Sequence, residues 1–224
     1  MIFQPLQWYV DKLKNGEHFS LARYGDGELY CMWGKKGQNS NGCHYLPELR
    51  QALNESMRHS TDPTFIYGLQ RVLPADRERA ETEYPVNWYD SEIFGEAVAS
   101  GALFPLIEQL RKMDVLIVGN KSIQNKTAEI INWNEFCEVQ PSNAYLERDA
   151  VLEAIKNSSG KEKVILFSCG MAANAFIGEL HGQIDGWLID LGHIWDPFTG
   201  NMSRCDLEGK TIEDINKNLY AKTE

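Results

Sequence analysis

The residues of this chain best suited to chemistry lie in one stretch, Phe19-Ser-Leu-Ala-Arg-Tyr-Gly-Asp-Gly-Glu-Leu29. Asp26 and Glu28 stand two positions apart, so a turn or an extended backbone would bring both carboxylates to one point. Two hard oxygen ligands suit Mg²⁺ or Mn²⁺, ions held by one or two carboxylates with substrate phosphates completing the shell. Gly25 and Gly27 flank Asp26, and without Cβ atoms they permit a sharp turn and close approach of backbone to ligand. Arg23, just upstream, is a planar fork of donors that matches a phosphate or a carboxylate. The same residues also describe a plain Gly-Asp-Gly turn with its acids in water. The stretch becomes a site only if other elements converge on it.

The rest of the pattern supplies such elements. Val115-Leu-Ile-Val-Gly119 and Lys163-Val-Ile-Leu-Phe-Ser-Cys-Gly170 are continuous apolar runs ending in glycine, as expected of parallel strands buried on both faces. Gly186-Trp-Leu-Ile-Asp-Leu-Gly192 reads as the last strand, Thr64–Gly68 as an earlier one and Phe136–Val139 as a short one. Between them fall helices at Ser122–Trp133, Leu146–Asn157 and Met171–His181. Further helices are expected after Pro47 and over Pro74–Glu83, Asn87–Ser100 and Leu103–Met113; Leu6, Tyr9, Val10 and Leu13 form a first one, stopped at Gly16. Gly34–Gly42 is a glycine-rich polar loop that reads equally as a cover for a ligand, with Lys35 and Lys36 available for phosphate, and as a plain mobile connection. Strands alternating with helices specify an α/β fold, a Rossmann-like, doubly wound and mostly parallel sheet with flanking helices. Ligands of such sheets bind beyond the carboxyl ends of the strands. Four strand ends are therefore candidates for one site: Gly25-Asp26, Gly119-Asn120, Ser168-Cys169-Gly170 and Asp190-Leu-Gly192-His193. The helix after Gly170 offers its amino end to a phosphate. There is no dinucleotide fingerprint, no P-loop and no Gly-x-Ser-x-Gly elbow.

Composition narrows the classes. The 224 residues, 43% hydrophobic and 24% charged, fit one globular domain over 1–224. No apolar run is long enough to span a membrane and no secretory leader is legible, so a cytoplasmic protein is expected. Cys31, Cys43, Cys137, Cys169 and Cys205 are odd in number and scattered, hence free thiols rather than a disulfide frame or zinc site. Residues 1–80 hold 10 Lys/Arg against 9 Asp/Glu, while residues 81–224 hold 12 against 23, within a net charge of −10. That balance argues against general nucleic-acid binding, which draws its affinity from phosphate neutralisation.

Arg23-Tyr-Gly-Asp-Gly-Glu28 on a first strand, Val115–Asn120, Pro141-Ser-Asn-Ala-Tyr145, Val164–Ala173 and a closing Ile189-Asp-Leu-Gly-His193 resemble, in order and spacing, the GT-D-fold glycosyltransferase family. The resemblance runs from about residue 17 to residue 200. The chain departs from the pattern in Met171, where a small residue or proline often follows the strand glycine, and in its short segment after Trp195-Asp-Pro-Phe. The resemblance implies a metal-dependent transferase that takes a nucleotide-sugar donor, typically a UDP-sugar. Asp26 and Glu28 match its Asp-x-Glu motif and would hold Mn²⁺ or Mg²⁺ on the donor diphosphate. Arg23, Gly25, Gly27, Ser168 and Gly170 would face the donor, and Asn120 and Asn143 its base or ribose. Asp190, His193 and Asp196 are the candidates for the base that activates an acceptor hydroxyl; His193 is alternatively a donor to the diphosphate, a metal ligand or a histidine satisfied in a helix or loop cap. That acceptor is expected on a glycan or a glycoprotein. A hydroxymethylated DNA base, as in a phage enzyme, is an alternative that the negative charge disfavours. A sugar-nucleotide-binding module without catalysis is another, against which the metal pair argues. A two-metal phosphohydrolase would need more clustered Asp and His ligands.

Overall fold

The computed structural model describes residues 1–40, 42–158, 162–202 and 207–221. In chain order its elements are α1 (Leu6–Lys14), β1 (Ser20–Tyr24), α2 (Asp26–Met32), α3 (Pro47–Glu55), β2 (Phe65–Leu69), α4 (Pro74–Glu83), β3 (Trp88–Asp90), α5 (Ile93–Ser100) and α6 (Phe104–Leu110). There follow β4 (Val115–Gly119), α7 (Lys121–Ile131), β5 (Glu135–Glu138), α8 (Arg148–Ser158), β6 (Lys163–Ser168), α9 (Ala172–Leu180), β7 (Gly186–Asp190) and α10 (Ile212–Asn216). The seven strands form one sheet in the order β3-β2-β1-β7-β6-β4-β5. Every pairing between them is parallel.

The apolar runs take this form because both faces of the sheet are covered. Alternate side chains of one strand enter opposite layers. Tyr24, Tyr67, Leu116, Ile165 and Leu188 pack with α2, α3, α4, α8 and α9 through Leu29, Leu53, Ala80, Ile155 and Phe176. Leu21, Ile66, Ile117, Leu166 and Ile189 pack with α1, α5, α6 and α7 through Val10, Phe94, Ile107 and Ile130, joined by Ile215 of α10. Among the described residues no single helix is long and apolar enough to cross a membrane. Cys31, Cys43, Cys137 and Cys169 are free thiols, as expected; Cys205 lies outside the described residues.

Two expectations are corrected. The helix expected over Asn87–Ser100 begins only at Ile93, because Trp88-Tyr89-Asp90 forms β3 on the edge of the sheet. Trp88 is buried edge-on against Tyr24 and Tyr67, a packing that suits aromatic strand residues. The outer edge of β3 is covered by the start of the chain: Ile2 N–H donates to Trp88 O at 2.7 Å, and Asp90 N–H donates to Ile2 O at 2.8 Å. Second, Gly25-Asp-Gly-Glu28 is the first turn of α2 rather than an open turn. Glu28, the third residue of the helix, accepts the Gly25 N–H at 2.8 Å, the reciprocal half of a capping box. Two acids in that turn complement the positive end of the helix dipole.

The tightest helix contact supplies a test. A Cβ on Gly178 of α9 would lie 2.4 Å from Ser56 Cβ and 2.9 Å from Ser56 Cα. Gly178→Ala must therefore push α9 away from the turn at Ser56–His59, and should cost about 1–3 kcal/mol in urea unfolding. An unchanged unfolding midpoint would contradict this packing.

Candidate active site

From β1 the chain steps outward to β2 and β3, then crosses to the far half of the sheet and returns through β7 to lie beside β1. The direction of winding thus reverses between β1 and β7, where open α/β sheets bind their ligands. The two strands also separate there. β1 pairs with β2 along five residues but with β7 only at Ser20↔Leu188 and Leu21↔Ile189. Beyond that point Asn174 of α9, fully buried, stands in for the missing strand: its Oδ1 accepts the Arg23 N–H at 3.0 Å and its Nδ2 donates to Arg23 O at 2.7 Å.

Arg23 and Asp190 close the floor of this opening, 4% and 5% exposed. Arg23 Nε lies 3.7 Å from Asp190 Oδ2, an ion-pair distance too long for a hydrogen bond, and that nitrogen has no hydrogen-bond partner. Asp190 Oδ1 accepts the Gly192 N–H at 2.8 Å. Gly192 adopts a φ of +53°, and a Cβ there would fall 2.3 Å from Arg23 Nη2, so the guanidinium occupies space that only glycine leaves open. Burial pushes the Asp190 carboxyl above its usual range, while Arg23 and the Gly192 N–H pull it back. The guanidinium also sits 5.4 Å from the centre of the Phe94 ring.

Above this floor is a cleft built almost wholly from strand ends. The β1–α2 junction contributes Arg23 and Gly25 through Glu28; the segment after β2 contributes Gln70 and Arg71; the turn into α5 contributes Glu92. Gly170 after β6 and His193, Ile194 and Pro197 after β7 add to it, with Gly95 and Val98 of α5, Leu207, and Asn39 and Ser40 from the loop that follows α2. Gln38 and His44 of that loop form an antiparallel bridge, and Asn39 packs on Gly27, where a Cβ would meet Asn39 Cβ at 3.2 Å. The Lys35 ammonium lies 3.1 Å from the centre of the Tyr30 ring.

Asp26 is exposed and Glu28 half-buried at the cleft mouth. They sit in the first turn of a helix, not in the open turn or extended backbone expected to bring them to one point. One oxygen of each is taken by the backbone, Asp26 Oδ1 by the Gly27 N–H at 2.8 Å and Glu28 Oε2 by the Gly25 N–H. Desolvation raises the Glu28 carboxyl from 4.5 to about 7 against two backbone hydrogen bonds, with smaller contributions from Asp190 and Asp26. A cation placed there would relieve the same penalty. Among the described residues no group of three or more His, Cys, Asp or Glu forms a metal cage. Two carboxylates would suit an ion that keeps most of its shell for phosphate and water, as Mg²⁺ and Mn²⁺ do, rather than zinc.

The other expected residues divide. His193 and Gly170 line the cleft. Asp196 lies beside it, its Oδ2 3.8 Å from His193 Nδ1. Asp190 is below the floor, held by Arg23 and Gly192, a placement that suits positioning better than proton transfer. Ser168 ends β6 with its hydroxyl buried and unpartnered, outside the cleft lining. Asn120 is elsewhere: β4 is three strand spacings from β1, roughly 14 Å, and Asn120 caps α7 by accepting the Ser122 N–H at 2.9 Å. Asn143 accepts the His44 N–H at 2.7 Å and ties down the loop instead of lining the cleft. Gln70, Arg71, Glu92 and Asn174 were not expected. Gln70 and Arg71 follow a strand end and were findable by the same rule; Glu92 was hidden by reading β3 as helix; Asn174 is the one strongly polar residue in the Ala-rich run Met171–Ile177.

Glu28 gives a pH test. Its folded-state carboxyl, near 7, lies above the 4.5 of an unperturbed glutamate, so the folded chain holds a proton that the unfolded chain loses. Its contribution is greatest below pH 4.5 and is lost as pH rises towards 7. Glu28→Gln keeps an acceptor for the Gly25 N–H and removes the titration. The variant should gain on wild type by up to about 3 kcal/mol between pH 4.5 and 8 in denaturant melts. A constant difference across that range would contradict the assignment.

No known family's sequence profile matches the chain, and no curated protein does. Two solved structures are similar over its whole length. One is the selenomethionine-substituted structure of domain of unknown function 1792, at 17% identity and a TM-score of 0.66; the other, of the same highly conserved domain, is described as having a distinct glycosyltransferase fold, at 17% identity and 0.67. Each alignment covers 100% of this chain and 92% of the other. The all-parallel seven-stranded sheet described above is thus the fold of that domain, a glycosyltransferase fold.

Proposed function

We propose that this chain is a metal-dependent glycosyltransferase that moves a sugar from a nucleotide-sugar donor, a UDP-sugar, to a hydroxyl on a glycan or glycoprotein. The observation that carries the reading is the cleft between β1 and β7, where a carboxylate pair, a buried arginine and a histidine meet at the winding reversal of a glycosyltransferase fold. Mn²⁺ or Mg²⁺ bound there would neutralise charge on the departing diphosphate.

The chain's own residues divide the remaining work. Asp26 and Glu28 would hold the cation, with Asp26 Oδ1 and Glu28 Oε2 already pinned by backbone N–H groups so that neither carboxylate has to be ordered on binding. Arg23 and Asn174 keep the opening between the strands in shape. Through Asp190 and Gly192, Arg23 also fixes the tail of β7, and with it the place of His193. His193 accepts the proton of the acceptor hydroxyl, with Asp196 beside its other face to stabilise the imidazolium that forms. Ile194 and Pro197 shield that end of the cleft from water.

Two measurements test this. Wild-type protein should be stabilised in thermal-shift assays by UDP or a UDP-sugar only when Mn²⁺ or Mg²⁺ is present, and Asp26→Asn or Glu28→Gln should abolish the response. A full response in both variants would remove these residues from the site. His193→Ala should lower kcat at least a hundredfold with little change in donor affinity; wild-type turnover would refute its role as base.

A further inference from the structure

We propose that the acceptor is an anionic glycan, one bearing carboxylate or phosphate groups, bound by a basic strip on the rim of the cleft; the proposal rests on the glycosyltransferase reading above. The strip starts where the cleft ends. Asp26 lines the cleft, and Tyr30 follows it four residues later on the same side of α2, about 6 Å further along the helix. Past Trp33 the chain leaves α2 through Gly34 into Lys35 and Lys36, both exposed. The Lys35 ammonium sits over the Tyr30 ring, and the Arg79 guanidinium of α4 over the Trp33 ring, 4.1 Å from its centre. Arg50 of α3 donates from Nε to Cys31 O at 3.1 Å, and its Nη1 lies 3.3 Å from where a Cβ on Gly34 would be.

Part of this charge is already used. Arg79 pairs with Glu83 at 2.7 Å, and Asp76 accepts the Tyr30 hydroxyl at 2.9 Å. Lys35, Lys36 and Arg50, by contrast, meet no carboxylate among the described residues. A ring beneath an ammonium holds it in place without neutralising it, so Lys35 keeps its charge for a ligand. In a chain of net charge −10, three such cations beside the cleft mouth create a local field that favours an anion. None of the three lines the cleft, to which this region gives Asp26, Asn39 and Ser40. A donor bound inside the cleft leaves them to the second substrate, whose chain must run out over the rim. Single-stranded nucleic acid, another polyanion, binds on aromatic rings whose faces are open to stack bases. Tyr30 and Trp33 each already carry a cation on one face, so the strip offers a ligand charge rather than ring surface.

The test is isothermal titration of wild type and Lys35→Gln/Lys36→Gln with oligogalacturonate, a phosphomannan oligosaccharide, a neutral dextran oligosaccharide and oligothymidylate, beside UDP in Mn²⁺. Wild type should bind an anionic glycan, more weakly as salt rises, in preference to dextran and oligothymidylate. The double variant should melt with wild type, bind that glycan roughly tenfold more weakly and keep its UDP affinity; Lys35→Arg/Lys36→Arg should restore glycan binding. Undiminished glycan binding by the glutamine variant overturns the proposal, as does equal or tighter binding of dextran or oligothymidylate by wild type. Loss of UDP affinity in the variant would give the lysines to the donor and overturn it as well. If wild type binds UDP but neither anionic glycan, this acceptor class fails while the transferase reading stands. If it binds no UDP, the transferase reading fails and the acceptor role fails with it.

Discussion

The site depends on how β1 and β7 part. Two parallel strands that stayed paired to their ends would leave no room for a ligand between them, and two that parted freely would leave buried backbone groups without partners, which costs about 1–3 kcal/mol each. Here the gap is opened and satisfied together. Asn174 takes both backbone groups of Arg23, and the side chain of Arg23 spans to Asp190 on the other strand. A buried ion pair of this kind contributes little net stability, because desolvation offsets its attraction, but removing one partner would strand a charge in the interior. Its value is geometric: it fixes the distance between the β1–α2 turn, which carries the acids, and the β7 tail, which carries the histidine.

The ionised form of Glu28 is arranged against stability. Glu28 is half-buried, with Asp26 and Asp190 near enough to raise its carboxyl further, and the chain retains that penalty although glutamine could cap the helix equally well. An opposing charge from a ligand would turn the same electrostatics into binding energy. Perturbed carboxyls in a cleft at a strand-end crevice are a pattern expected of functional sites rather than of structural ion pairs.

Much of the fold was legible because its strands are buried on both faces. Val115–Gly119, Lys163–Ser168 and Gly186–Asp190 are near-continuous apolar runs, which periodicity and length identify without tertiary information. β3 was not legible: three residues, aromatic and acidic, join the sheet only because Tyr24 and Tyr67 bury Trp88 and because Ile2 covers the outer edge. The same contrast holds at the site. Gly25–Glu28, Gly170 and His193 follow from the rule that ligands sit at strand ends. Which strand ends adjoin is set by sheet order, so Asn120, at the end of an equally clear strand, is displaced by two intervening strands. The helical start of α2 was misread because glycine on both sides of an acid signals a turn locally, whereas the capping bond from Glu28 back to Gly25 makes the same residues a helix.

The most direct test is a crystal structure of the protein soaked with Mn²⁺ and UDP, read in anomalous difference maps. The account predicts one manganese peak against Asp26 and Glu28, with the diphosphate in the cleft between the β1–α2 turn and the β7 tail. A nucleotide and metal bound elsewhere, as in the surface groove beside Asn120, would contradict it.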